Sequence, residues 1–298
     1  MVRKQYPLHI KEKIFWLGQR TWIMGVLNVT PDSFSDGGLF LDPEKAAKRG
    51  LELASEGADI IDIGGESTRP GSEPISAQEE LSRVIPVISA LREKVDALIS
   101  IDTTKFEVAA AALEAGADII NDVSAFRFDP RMASLAAEKD APVVLMHMKG
   151  TPQTMQISPH YEDVLAEIKS FLREKIDEAQ AQGIKKGKII IDPGIGFGKR
   201  FEDNLTLINH LDFFEDLDYP LLVGISRKSY IGKILGASPQ DRLEGTISSA
   251  IVSIIRGAHI LRVHDVKAVK RAVLVAEAIL NEKHSPNSSF ERQNNYVQ

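Results

Sequence analysis

Eight short apolar runs along the 298-residue chain each end in polar or charged side chains. In chain order the runs are followed by Asn28, the segment GGESTRPG (64–71), Asp102, Asn121 with Asp122, His147, Asp192, the segment SRKS (226–229), and Arg262 with His264. An unpaired charge inside a protein costs several kcal/mol. Because stability alone would favour apolar side chains at such positions, the sequence predicts that these residues form one functional site.

Three of these residues suit the recognition of a flat heterocycle. Asp102, Asn121 and Asp192 offer hydrogen-bond acceptors and one amide. A carboxylate can accept two parallel hydrogen bonds, as a ring NH and its neighbouring amino group would donate them.

Four others supply positive charge after the second, seventh and eighth runs, namely Arg69, Lys228, Arg262 and His264. Arg262 and His264 are two residues apart, so both face the same side of a strand. Lys228 and Ser229 open the segment KSYIGKILG, predicted to be a short extra helix whose N-terminus could accept a carboxylate or a phosphate. The sequence thus predicts a heterocycle that carries an anionic leaving group.

Two loops could complete the site. NVTPDSFSDGG (28–38) is longer than the roughly 2–6 residues that usually link a strand to a helix, so we expect a functional role. DPGIGFGK (192–199) places Phe197 among glycines, where it could form a wall for an aromatic substrate.

His147, a single histidine at a strand end, is interpreted as a supporting group. No two histidines have the i, i+4 spacing of a metal pair, but Mg²⁺ held by one protein oxygen and substrate phosphates stays possible.

The apolar runs alternate with helical patterns, which predicts a (β/α)₈ TIM barrel as a single domain over 1–282. The expected strands are 22–27, 59–63, 98–101, 118–120, 142–146, 188–192, 220–225 and 259–263. The expected helices are 43–57, 76–94, 104–116, 129–139, 161–183, 201–217, 238–257 and 264–280. An open doubly wound sheet is the rival architecture, but no Gly-x-Gly-x-x-Gly turn follows the first strand.

Both ends of the chain differ from this repeating pattern. An alternating segment around a turn at Leu17-Gly18-Gln19-Arg20 predicts an N-terminal β-hairpin at about 8–22 that closes the barrel floor. The segment 283–298 has no periodicity and is expected to be disordered.

The composition favours a cytoplasmic enzyme with small-molecule substrates. The net charge of -6 argues against nucleic acid as a partner. The sequence contains no apolar run of about 18 residues, so no membrane span is predicted. The N-terminus lacks the apolar stretch of a secretory signal. With no cysteine, the chain has neither disulfides nor a thiolate nucleophile.

Long strings of this sequence resemble the dihydropteroate synthase family of the folate pathway. The most specific are MGVLNVTPDSFSDGG (24–38) and DIGGESTRPG (62–71). The resemblance continues through SIDTTK (100–105), NDVSA (121–125), LMHMKG (145–150), DPGIGFGK (192–199), GISRKS (224–229) and RVHDV (262–266). It therefore covers about residues 15–280, nearly the whole expected barrel.

The resemblance implies a transferase that condenses 6-hydroxymethyl-7,8-dihydropterin diphosphate with p-aminobenzoate, giving 7,8-dihydropteroate and diphosphate. The implied pterin-binding residues are Asp102, Asn121, Asp192, Lys228 and Arg262. The implied diphosphate-binding residues are Asn28, Arg69, Arg262 and His264, with Asn28 beside the Mg²⁺ cofactor. The implied p-aminobenzoate-binding residues are Phe34, Thr68, Arg69, Pro70, Phe197 and Ser229.

The implied chemistry is an SN1-like path with Asp36, Lys228, Arg262 and His264 as the catalytic residues. Mg²⁺, Arg262 and His264 would stabilise the departing diphosphate, and the dihydropterin ring would delocalise the cation left at its methylene carbon. Asp36 would stabilise that cation and help to exclude water.

Two alternatives stay open at this point. A related pterin-binding barrel of the methyltetrahydrofolate:corrinoid methyltransferase type would share the pterin pocket, but the intact STRPG and SFSDGG segments count against it. A non-catalytic pterin-binding paralogue would be expected to lose Lys228, Arg262 or the first loop. The resemblance further implies a sulfonamide target and a homodimer formed through late helices such as 240–257.

Overall fold

The computed structural model describes residues 3–30, 42–68 and 71–282 of the chain. Several predictions concern residues outside these ranges, namely those on Phe34, Asp36, Arg69, Pro70 and the segment 283–298. The expected barrel is confirmed. Its strands are β3 (Trp22–Asn28), β4 (Ile60–Gly64), β5 (Leu98–Asp102), β6 (Ile119–Asp122), β7 (Val143–Met146), β8 (Ile189–Asp192), β9 (Leu222–Gly224) and β10 (Ile260–Val263).

The eight strands form one parallel sheet in the order β8-β7-β6-β5-β4-β3-β10-β9. A parallel bridge between Ile191 and Leu221 joins β8 to the residue before β9, so the sheet closes almost completely. The runs are predominantly apolar because closed parallel strands are covered by helices outside and by side chains inside.

Helices follow the strands and cover the outside of the barrel. They are α1 (Pro43–Ser55), α2 (Ala77–Arg92), α3 (Phe106–Glu114), α4 (Arg131–Glu138), α5 (Val164–Ala181), α6 (Phe201–Asn209), α7 (Ser229–Leu235), α8 (Leu243–Ile255) and α9 (Val266–Leu280). Short 3₁₀ helices span Lys186–Lys188 and Leu211–Leu217. The extra helix expected after the seventh strand is present as α7. No helix within the described ranges is long and apolar enough to cross a membrane.

The N-terminal hairpin pairs β1 (Tyr6–Ile10) with β2 (Lys13–Leu17). Its turn lies at Lys11-Glu12, where Lys11 has a φ of 51°, so the predicted turn at Leu17-Gly18-Gln19-Arg20 was wrong. Gly18 has another role: a Cβ there would lie 2.3 Å from the carbonyl oxygen of Lys4. The glycine permits a close backbone approach after the hairpin instead of forming its turn.

The barrel interior has an apolar floor and a polar upper part. Leu8, Ile10 and Leu17 of the hairpin pack against inward residues of the strands, which are Trp22, Met24, Ile60, Ile119, Val144, Ile190, Leu222 and Ile260. Side chains two residues apart on a strand share a face, so the next inward residue lies one layer higher. At that height stand Asp62 after Ile60, Asn121 after Ile119, Asp192 after Ile190 and Arg262 after Ile260. The fold thus gathers these polar side chains at one end.

Candidate active site

Backbone register places predicted site residues side by side at the carboxyl ends of the strands. Asn28 of β3 lies opposite Gly64, Gly64 lies opposite Asp102, and Asp102 lies opposite Asn121. Asp192, at the end of β8, lies opposite Met146. Asn28 is half-buried, whereas Asp102, Asn121 and Asp192 are buried.

Arg262 crosses the interior from β10 and pairs with two carboxylates. Its Nε donates to Asp62 Oδ2 at 2.6 Å, and one terminal nitrogen donates to Asp102 Oδ2 at 2.6 Å. Burial works against the guanidinium, but the two carboxylates outweigh that effect and raise the pKa of Arg262. The arginine is therefore a fixed positive charge in the barrel mouth.

Asp62 is a site residue that the sequence analysis missed. It is fully buried, and its carboxylate accepts a hydrogen bond from Asn121 Nδ2 at 3.1 Å in addition to the one from Arg262. With its nitrogen turned to Asp62, the Asn121 amide is left with its oxygen as a free acceptor. The available signal was a charged residue inside a run that is buried on both faces, where carboxylates need a partner.

Burial dominates the electrostatics of the other two site carboxyl groups. It raises the pKa of Asp102 to about 7, an effect that Arg262 opposes and the charge of Asp62 adds to. Asp102 Oδ1 has no hydrogen-bond partner within the described part of the chain. Burial likewise raises the pKa of Asp192 to about 6, although Asp192 Oδ1 accepts the backbone NH of Gly194 at 2.7 Å. Both groups are poised to accept hydrogen bonds from a ligand.

Lys228 and Phe197 form the opposite side of the site. The Nζ of Lys228 lies 4.3 Å from the centre of the Phe197 ring, a cation–π distance. Burial and the nearby Arg262 lower the pKa of Lys228 to about 8. Ser229 is exposed at the first residue of α7, directly after Lys228. Lys228 thus lies against Phe197, and Ser229 adjoins Lys228 along the chain.

Phe197 also belongs to a small apolar cluster that the sequence analysis did not identify. The cluster combines residues of three loops and strand ends, namely Val123, Met146, Met148, Met155 and Phe197. Methionine adapts to irregular aromatic surfaces. A flat ring bound near Asp102 and Asp192 would therefore have an apolar surface beside it.

His264 follows β10 and lies against Ser226, with its Nδ1 3.1 Å from Ser226 Oγ. Burial, followed by the positive charge of Arg262, lowers the pKa of His264 to about 3. The imidazole is therefore neutral at neutral pH and can donate one hydrogen bond to an anion.

His147 supports the glycine-rich loop, as interpreted from the sequence. Lys199 Nζ lies 2.8 Å from His147 Nδ1 and donates to the backbone oxygen of Phe197 at 3.0 Å. Burial lowers the pKa of His147, which keeps the ring neutral and able to accept from Lys199. Gly194 has a φ of 70°, and a Cβ there would lie 1.9 Å from the carbonyl oxygen of His147. Only glycine allows this loop to lie so close to β7.

Thr68 is half-buried in the loop after β4 and lines a cavity of about 400 Å³ that Asp102 also lines. The described residues contain no group of three or more acidic or histidine side chains that could hold a metal ion. The donor set near the rim fits only a hard cation whose other ligands come from elsewhere, with Asn28 offering one amide oxygen.

The sequence matches the model of a family described as "Pterin binding enzyme" over residues 24–264. It is 48% identical over 274 residues to dihydropteroate synthase of Synechocystis, covering 92% of this chain and 95% of that protein. The chain belongs to the dihydropteroate synthase family of pterin binding enzymes. Members of this family are transferases.

Solved structures of family members agree with the fold. Dihydropteroate synthase of Xanthomonas albilineans with 4-aminobenzoic acid is 46% identical, with a TM-score of 0.88, covering 94% of this chain and 100% of that one. A complex from the same organism with 7,8-dihydropteroate has a TM-score of 0.83 at 44% identity, covering 93% and 100%. These similarities disfavour both the corrinoid methyltransferase and the non-catalytic paralogue.

Proposed function

We propose that the chain condenses 6-hydroxymethyl-7,8-dihydropterin diphosphate with p-aminobenzoate to give 7,8-dihydropteroate and diphosphate. The observation that carries this proposal is the Asp62–Arg262–Asp102 arrangement, with Asn121 and Asp192 beside it in the barrel mouth. It offers acceptors for the NH groups of a pterin next to a fixed positive charge for an anionic group. Family relatives bound to 4-aminobenzoic acid and to 7,8-dihydropteroate support the same reaction.

The pterin is held by Asp102, Asn121, Asp192 and Lys228, with Arg262 against its face. The support is the unpartnered Oδ1 of Asp102, the acceptor oxygen of Asn121, and the buried carboxyl of Asp192. Lys228 contributes a hydrogen-bond donor at the side of Phe197. The edge of the heterocycle then meets acceptors and one donor, and its face meets apolar side chains.

The diphosphate lies towards Arg262 and His264, with Asn28 and Arg69 as further ligands. Arg262 provides permanent charge, and the neutral imidazole of His264 can donate one hydrogen bond to a diphosphate oxygen. The Mg²⁺ cofactor would be held by Asn28 and, when bound, would neutralise charge on the diphosphate.

The reaction proceeds by an SN1-like path. The bond between the pterin methylene carbon and the diphosphate oxygen breaks, and its electron pair leaves with the diphosphate. The amine of p-aminobenzoate then forms the carbon–nitrogen bond and loses a proton. Asp36 stabilises the intermediate cation, and no side-chain nucleophile is needed. Phe34, Thr68, Arg69, Pro70, Phe197 and Ser229 bind p-aminobenzoate, and sulfonamides compete for the same residues.

Incubating the purified chain with both substrates and Mg²⁺ tests the function. Dihydropteroate should form, and its absence under conditions where the pterin binds would refute the proposal. Diphosphate release from the pterin substrate alone tests the path. A strict requirement for p-aminobenzoate before any bond cleavage would argue against a free cation.

We further propose that the chain is a cytoplasmic homodimer that associates through α8 and α9. Large apolar side chains on these two helices are 41–70% exposed, namely Val252, Ile255, Leu274, Val275 and Ile279. Such a group of exposed apolar side chains is typical of an interaction surface. Sedimentation equilibrium should show a dimer that Val275→Asp converts to a monomer. A monomeric wild-type chain at micromolar concentration would contradict the proposal.

A further inference from the structure

A three-residue ionic cluster lies behind the loop that carries Thr68. Lys105, three residues after Asp102, donates through Nζ to Glu66 Oε2 and to Glu80 Oε2, both at 2.5 Å. Glu66 belongs to the loop that joins β4 to α2, and Glu80 belongs to α2 itself. The ammonium group of Lys105, which follows β5, therefore connects the loop at Glu66 to helix α2 at Glu80.

The cluster is partly buried: the side-chain exposure is 23% for Lys105, 20% for Glu66 and 1% for Glu80. Glu80 is fully buried, and its Oε1 has no partner in the described part of the chain. Burial raises the pKa of Glu80, and Lys105 opposes this effect. Burial also works against the ammonium of Lys105, but the hydrogen bonds to Glu66 and Glu80 outweigh it and raise the pKa of Lys105. Glu80 depends on Lys105 for its charge partner, because its buried carboxylate is removed from bulk water.

Glu66 transmits this anchoring to the loop backbone. Its Oε2 also accepts the backbone NH of Ile75 at 3.2 Å, which joins the two ends of the loop at its base. Further along, Ser72 Oγ donates to the Ser67 backbone oxygen at 2.5 Å. Thr68 lies directly after Ser67, so these contacts hold the backbone next to it.

The outer part of the same loop rests on the loop after β7. The Gly71 NH donates to the Pro152 oxygen at 3.1 Å, and Gln153 Nε2 donates to the Ser72 oxygen at 3.2 Å. These are neutral hydrogen bonds at exposed or half-buried positions, individually weak contributors to stability. The ionic cluster is thus the strong attachment of the loop, and the contacts to 152–153 are the weak one.

We propose that Lys105 is a positioning residue for p-aminobenzoate: through Glu66 it fixes the loop between β4 and α2 and thereby places Thr68. The inference rests on the proposed function, since it concerns the second substrate of that reaction. Lys105 lines the same cavity as Thr68 and Asp102, and the role proposed for it is the indirect one, through Glu66 and the loop. Lys105 keeps the binding loop in one arrangement. The entropy cost of ordering the loop is then not incurred each time the substrate binds.

Lys105→Met tests the proposal, because methionine keeps the unbranched chain and removes the charge. The KM for p-aminobenzoate should rise about tenfold or more, while equilibrium binding of the pterin diphosphate alone changes less than about twofold. Lys105→Arg, which can still bridge two carboxylates, should restore most of the lost affinity. Lys270→Met is a matched control: Lys270 has 21% side-chain exposure against 23% for Lys105 and pairs with Asp59 at the floor of the barrel.

The outcomes separate the two proposals. A wild-type chain that forms no dihydropteroate refutes the proposed function. An active wild type, together with a folded Lys105→Met variant whose KM for p-aminobenzoate is unchanged, refutes the positioning role. Equal losses for both substrates would also refute it, because the cluster would then act through neighbouring Asp102. If Lys105→Met does not fold, Glu66→Gln gives the same test, since it keeps the Lys105–Glu80 pair.

Discussion

Replacing Asp62 by asparagine tests whether a buried carboxylate holds the arginine of the site. The change keeps the size of a fully buried side chain and removes one charge. In the wild type, Oδ2 accepts from Arg262 Nε at 2.6 Å and from Asn121 Nδ2 at 3.1 Å. In the variant, an amide nitrogen would replace Oδ1, which lies 3.3 Å from Asn121 Nδ2 in the wild type. Two hydrogen-bond donors would then face each other. We expect the Asn121 amide to turn and present its nitrogen, not its oxygen, to the pterin.

The expected magnitude follows from the bonds that change. A hydrogen bond to a charged group contributes about 1.5–3 kcal/mol, and each 1.36 kcal/mol corresponds to a tenfold change in rate, so kcat/KM should fall roughly 10- to 150-fold. The cost of a buried charge without any partner does not arise, since Arg262 keeps Asp102 at 2.6 Å. The pKa of Asp102, raised chiefly by burial, should fall because the charge of Asp62 no longer adds to that effect.

The assay is steady-state kinetics with each substrate varied in turn, alongside pterin binding and thermal unfolding. Asp59→Asn is the matched control, at the residue before the opposite end of β4, where Asp59 pairs with Arg20. It should leave kcat/KM within about twofold of the wild type. A folded Asp62→Asn variant with wild-type kcat/KM would refute the reasoning, as would equal losses in the two variants.

Three further substitutions probe other parts of the site. Asp192→Asn should weaken pterin binding by about 1.5–3 kcal/mol, and wild-type affinity should decline below about pH 6 as the carboxyl becomes protonated. Burial raises the pKa of Asp192 from 3.8 to about 6, so its contribution to the free energy of unfolding is largest at low pH and is lost as the pH rises through 6. The wild type should therefore lose more stability between about pH 4 and pH 6 than Asp192→Asn. Asp36→Ala should slow turnover and leave pterin binding nearly unchanged; the reverse pattern in binding and kinetic assays would contradict the division of roles. Gly194→Ala should destabilise the chain by about 1–3 kcal/mol in chemical unfolding, because its Cβ would lie 1.9 Å from the His147 oxygen at a φ of 70°; wild-type stability would show that the loop can shift without cost.

The sequence by itself determined the elements of the barrel and most of the polar residues at its mouth. Continuous apolar runs and helical periodicity are local signals, and strand polarity dictates that all carboxyl ends of a parallel barrel meet at one end. Asp102, Asn121, Asp192 and Arg262 could therefore be assigned to one site from the positions of the runs alone. The extra helix at Ser229–Leu235 was likewise readable from its local pattern.

Only the tertiary structure decided which of these groups pair. Asp62 and Arg262 are 200 residues apart in the sequence and meet because β10 pairs with β3, whose other neighbour in the sheet is β4. A run of residues reveals the face on which a side chain lies, but not its partner across the barrel. The same limit applies to Lys105 with Glu66 and Glu80. It also applies to Gly18, which accommodates the carbonyl of Lys4 before β1 instead of forming the hairpin turn. Contacts between distant segments depend on strand stagger and closure, which no local pattern encodes.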